Sequence, residues 1–158
     1  TGRPVYGGGG IIPDIFVPSD TSGVTNYYIK VANAGLLRKF AYEYADLNRD
    51  RLNESRTTAE LLNMLPSDNV LLQSFVNYAH SKGKISPRPY YINISAPLIV
   101  NQIKALIARD IVGMDGYFEI VNSSDPVMLE AIRQIETGGA AFPLTDKERP
   151  VTEKTKKN

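Results

Sequence analysis

Between Thr25 and Thr137, apolar residues recur at three- and four-residue steps, and each run is bounded by a capping residue, a glycine or a proline. That spacing is the period of an α-helix with one buried face. It predicts a mainly α protein, a compact helical domain of about five or six helices around one core. Strand content is expected only at the front of the chain and near Phe118, where Tyr117 to Val121 is equally compatible with a helical turn and a short strand. A length of 158 residues suits one domain with a real core.

The runs are read in order. Thr25 or Asn26 caps a helix carrying Tyr27, Tyr28, Val31 and Ala32, and Gly35 interrupts it. A stronger helix from about Leu36 to Arg51 puts Leu37, Phe40, Tyr44 and Leu47 on one face, with Arg38, Lys39, Glu43 and Asp46 largely off it. Thr57 and Glu60 have capping-box spacing, and Pro66 stops the short helix they start. Ser67 or Asp68 caps the next, with Leu71, Leu72, Phe75, Val76 and Ala79 inward and Gly83 placed for a left-handed C-cap. Ile85 to Tyr91 holds two prolines and reads as an extended connector. Ser95 caps the longest helix, with Pro97 in its first turn, and Ile99, Ile103, Leu106, Ile107 and Ile111 form its apolar face until Gly113. Asp125-Pro126 starts the last helix; Met128, Ile132 and Ile135 are its buried face, and Gly138-Gly139 stop it.

The front of the chain is different. Four consecutive glycines, Gly7 to Gly10, precede Ile11-Ile12-Pro13-Asp14-Ile15-Phe16-Val17. Glycine permits positive φ, Ile15 to Val17 are strand formers, and Pro13 belongs at a strand start or edge. The bare reading is a tight turn feeding a short edge strand, with no chemical role. Phosphate binding is disfavoured, because a helix N-terminus does not follow and no Gly-Lys-Ser/Thr is present.

With its companions Gly2, Arg3, Val5, Tyr6, Ile11, Pro13, Asp14 and Val17, this segment resembles the one that closes the protease core of carboxy-terminal processing (tail-specific) serine peptidases. More weakly, Leu37-Arg38-Lys39-Phe40-Ala41, Tyr44-Ala45, Leu106-Ile107-Ala108-Arg109, Tyr117-Phe118, Asn122 and Asp125-Pro126 are similar to the long C-terminal extension of one bacterial branch. The resemblance implies a parent endopeptidase with a serine–lysine dyad upstream of the Gly-Arg segment, in the periplasm or cell envelope. It implies that this chain is a C-terminal fragment without the dyad, inactive alone. The short β segment is then left over from the protease core. Its partners are that catalytic core and the parent's protein or peptide substrates. Cut from the core, the strand edge invites a second copy of the chain, a homodimer.

No residue of this chain is assigned a catalytic, cofactor or metal role. There is no cysteine, so thiol chemistry and disulfides are absent. His80, the single histidine, has no partner at helical spacing and reads as a helix-end residue favoured by the dipole. Lys82 and Lys84 match no active-site motif, and the carboxylate pairs Glu54/Glu60 and Asp115/Glu119 carry none either. Arg88 between prolines with Tyr90-Tyr91 marks a contact surface at most. A net charge of +1 supplies no field for nucleic acid, no apolar run reaches the ~18 residues of a membrane span, and no signal pattern opens the chain. No cofactor, nucleic acid or membrane partner is therefore expected.

The expected organisation is a strand segment of the protease core at 1–20, a helical domain at 25–140, and a polar, disordered tail at 141–158. The function expected is a non-catalytic region of the peptidase that regulates, contacts substrate or oligomerises. The alternative is a stand-alone helical protein-binding module without enzymatic activity.

Overall fold

A computed structural model describes residues 15–138. Within them lie eight helices: α1 (Asn26–Asn33), α2 (Leu36–Leu47), α3 (Arg49–Leu52), α4 (Thr58–Met64), α5 (Asp68–Gly83), α6 (Pro89–Ile111), α7 (Met114–Asn122) and α8 (Pro126–Glu136). The mainly helical expectation holds. The number of helices is higher because Asn48 breaks the second run into α2 and the single turn α3. Tyr117 to Val121 also resolves as helix, inside α7. No strand occurs among the described residues. Residues 1–14 and 139–158, with most of the expected front strand and the tail, lie outside them.

The domain is organised around α6. Helices α1, α2, α4, α5 and α7 all pack on it. Ile99, Ile103 and Ile107, four residues apart, are fully buried along its length. Side chains at i and i+4 stack on one helix face, so three isoleucines make a continuous stripe that neighbouring helices cover. Phe75 of α5 is also fully buried. Phe40 of α2 meets Phe75 edge-on at 5.5 Å and Tyr78 at 5.4 Å, an arrangement aromatic quadrupoles favour.

Several local expectations change. Ser95 does not start α6: the helix begins two turns earlier at Pro89, whose fixed φ suits a first helical position, and Pro97 lies inside it. The expected connector is accordingly shorter, and Tyr90 and Tyr91 are helical. Ser95 instead sits fully buried facing the N-terminus of α1. Its hydroxyl donates to the Gly23 carbonyl at 2.7 Å and accepts from the Thr25 hydroxyl at 2.7 Å. Thr25 in turn caps α1 by accepting from the Tyr28 amide. One relay of hydroxyls thus ties the start of the helical domain to its central helix.

The end of α5 also differs. The left-handed position is taken by Lys84 (φ 54°), not Gly83. The amides of Lys84 and Ile85 both turn back on the Ala79 carbonyl. Gly83 stays helical, and its missing side chain is the space that Leu36 of α2 fills. At α4, Thr57 accepts from the Glu60 amide as expected, but Glu60 reaches back to the amide of Arg56 rather than of Thr57. On α2 the inward face is Leu36, Leu37, Phe40, Ala41 and Ala45, with Leu47 85% exposed.

The largest departure is α8. Its start is as expected, with Asp125 Oδ1 accepting from the amides of Val127 and Met128. Yet no residue of this helix is buried. The spacing puts Met128, Ile132 and Ile135 inward; in the structure they are exposed, as are Val127 and Leu129. Amphipathic spacing says that a face needs a cover, not that the same domain supplies it.

Candidate interaction surfaces

Among the described residues no group of three or more histidine, aspartate or glutamate side chains comes together as a metal site. Glu60 spends its carboxylate on the Arg56 amide. Asp115 lies in the first turn of α7, where an acidic side chain suits the helix dipole. Lys82 and Lys84 are exposed at the end of α5. Serine hydroxyls here serve the backbone: Ser55 donates to Leu52, Ser74 to Val70, and Ser81 to Tyr78.

Ionisable side chains form structural pairs. Arg49 bridges Asp110 of α6 at 2.7 Å, and Lys104 of α6 reaches Asp68 at 2.6 Å, so the C-terminal half of α6 is latched by charge to α3 and α5. The Tyr78 hydroxyl is pushed up to about 12 by loss of hydration and then by its 2.7 Å hydrogen bond to Glu43. Glu130 is held down at about 2, chiefly by two hydrogen bonds from Arg133 and further by Gln134.

Two surface grooves stand out. The first lies where the front segment passes α8. Ile15, Phe16, Val17 and Pro18 line it with Pro126, Leu129, Glu130 and Arg133, around about 470 Å³. Phe16 is 80% exposed and Ile135 72%. Scattered apolar residues on a surface mean little, but here Ile15, Phe16 and Val17 adjoin Pro126 and Leu129 in one groove.

The second groove runs between α5 and the start of α6, with about 490 Å³ of space. Its floor is Leu72, Val76 and Ile92, its rim Pro87 and Pro89, and its polar groups are Asn69, Gln73, Asn77, Asn93 and His80. No charged side chain lines it. In the sequence only His80 stands out here, because exposed Asn and Gln on a helix look like any solvated face. Their four-residue spacing was the available signal.

Helix α6 is 23 residues long and, by length and composition, apolar enough to cross a membrane, although the contiguous apolar run in the sequence is shorter. Half of the apolar window is buried inside the domain, covered by the helices packed on it.

The fold and these surfaces define a helical domain assembled on one central helix, with its chemistry in uncharged and apolar surface. The chain belongs to a family of unknown function, DUF8443, whose family model matches residues 27–113. That stretch runs from the buried Tyr27 of α1 to Gly113 behind α6, and so contains most of the core and the whole α5–α6 groove. No curated protein and no solved structure matches the chain.

Proposed function

We propose that this chain is the C-terminal, non-catalytic region of a serine-type carboxy-terminal processing endopeptidase of the cell envelope, and that it docks on the catalytic core of its parent. The reading rests first on the front segment, whose Gly-Arg, tetraglycine and Pro-Asp features resemble the closing segment of that protease core. The observation that carries it further is the patch beside that segment. Ile15 and Phe16 adjoin Leu129 of α8, a helix whose apolar residues nothing among the described residues buries. Each large apolar side chain left in water forgoes up to about 1.5–3 kcal/mol of burial. A neighbouring body joined through the front segment would cover them. The side chains among the described residues serve caps, latches and core, which suits a regulatory or substrate-contacting role.

The test is the coding sequence ahead of Thr1, expressed together with this region. The expected result is a peptidase with a serine nucleophile and lysine base upstream, whose processing of a protein substrate changes when residues 25–138 are removed. Absence of any such dyad upstream would overturn the reading in favour of a stand-alone helical binding module.

A further inference from the structure

We propose that the α5–α6 groove binds an extended, uncharged stretch of polypeptide through its main chain. Asn69, Gln73 and Asn77 stand at i, i+4 and i+8 on α5, one row along one face. Leu72, Val76 and His80 form the adjacent row, three residues on from each. Along a helix, four residues advance about 6 Å; along an extended chain, two residues advance about 6.6 Å. Successive carboxamides therefore fall opposite every second residue of a strand laid along α5, where its main-chain groups face the same way. The mismatch accumulates to only about 1 Å across the row, within the reach of these side chains.

The chemistry fits the same occupant. A carboxamide both donates and accepts, as a peptide unit does. Gln73 Nε2 donates to Asn77 Oδ1 at 3.0 Å, which orients both groups and leaves the Gln73 oxygen and the Asn77 amide hydrogens for a ligand. Asn69 and Asn93 make no side-chain hydrogen bond among the described residues. Asn93 of α6 stands across the groove from this row. The floor of Leu72, Val76 and Ile92 suits the small apolar side chains of such a strand. No lysine or arginine lines the groove to draw a phosphate or carboxylate, and no phenylalanine, tyrosine or tryptophan lines it as a platform for a sugar. The inference stands whether or not the chain is joined to a peptidase.

The experiment uses the full chain and a fluorescein-labelled peptide of about ten residues composed of Val, Thr, Ala and Ser. Fluorescence anisotropy and the side-chain NH₂ resonances of Asn69, Gln73, Asn77 and Asn93 are followed together. The expected result is saturation below about 1 mM with shifts at those resonances. Replacing Asn69 and Asn77 together by alanine should weaken binding about tenfold without changing helicity, since both side chains are exposed. A peptide with the same side chains but alternate N-methylated amides should lose binding by at least the same factor. Equal binding of the N-methylated peptide, tighter binding of a glutamate- or lysine-rich peptide, shifts of the same resonances by maltohexaose, or no saturation by 1 mM would each overturn the inference.

Discussion

Replacing Gly83 by alanine and Lys84 by glycine should move stability in opposite directions, against what the bare sequence suggests. By sequence, Gly83 is the C-cap and Lys84 an ordinary residue beyond it. In the structure Gly83 is helical, and alanine there would gain about 1 kcal/mol from helix propensity. Its Cβ, however, would overlap Leu36 Cδ1, with Leu36 Cγ and Cδ2 at 3.4 Å. Leu36 is 4% exposed, so it has no solvent to move into, and overpacking of this kind costs about 1–3 kcal/mol. The net for Gly83→Ala is a loss of about 1 kcal/mol. Lys84 carries a side chain at φ 54°, which costs about 1–2 kcal/mol relative to glycine. Glycine gives back about 0.5–1 kcal/mol through the freedom of the unfolded chain, so Lys84→Gly should gain a few tenths to about 1 kcal/mol. Urea unfolding followed by far-UV circular dichroism reads both. A destabilised Lys84→Gly would refute the left-handed assignment of Lys84, and a stabilised Gly83→Ala would refute the close packing of Leu36 against Gly83.

Ser95→Ala removes the hydroxyl that joins Gly23 and Thr25 to α6, and should cost about 1–3 kcal/mol through the two hydrogen bonds lost. Its mark is faster amide exchange in the first turn of α1; loss of stability spread evenly over all helices would contradict the relay. Glu130 contributes favourably while ionised, since its folded value is depressed; its help is complete above its ordinary value of 4.5 and is lost as pH falls from there toward about 2. Residue-resolved NMR between those pH values should show α8 fraying before the core, and less so at high salt, because the pair is exposed. Unchanged α8 shifts across that window would sink the assignment.

What was legible in the sequence was whatever a repeating apolar pattern encodes. Ile99, Ile103 and Ile107, or Leu71, Phe75 and Ala79, are buried as their spacing demands, because nothing competes with the core for them. Features decided by a distant partner were not legible. Ser95 looks like a cap until Gly23 and Thr25 are seen beside it. Gly83 looks like a C-cap until Leu36 is placed against it. The apolar face of α8 is correctly periodic, yet it points away from the domain, and no local pattern distinguishes those outcomes. The carboxamide row on α5 carries no propensity signal, since asparagine and glutamine are ordinary on a wet surface; its meaning comes from the wall that α6 builds opposite.

The proposed docking of this domain on a catalytic core through the front segment and α8 is tested most directly by hydrogen exchange. Amides of Ile15 to Val17 and of the α8 helix should be compared in this chain alone and in the protein extended upstream through the proposed protease core. The account predicts that the extended protein slows exchange in both segments by tenfold or more, about 1.4 kcal/mol of added protection, while α5 and α6 stay as they are. Identical exchange at Ile15 to Val17 and along α8 in the two proteins would contradict it.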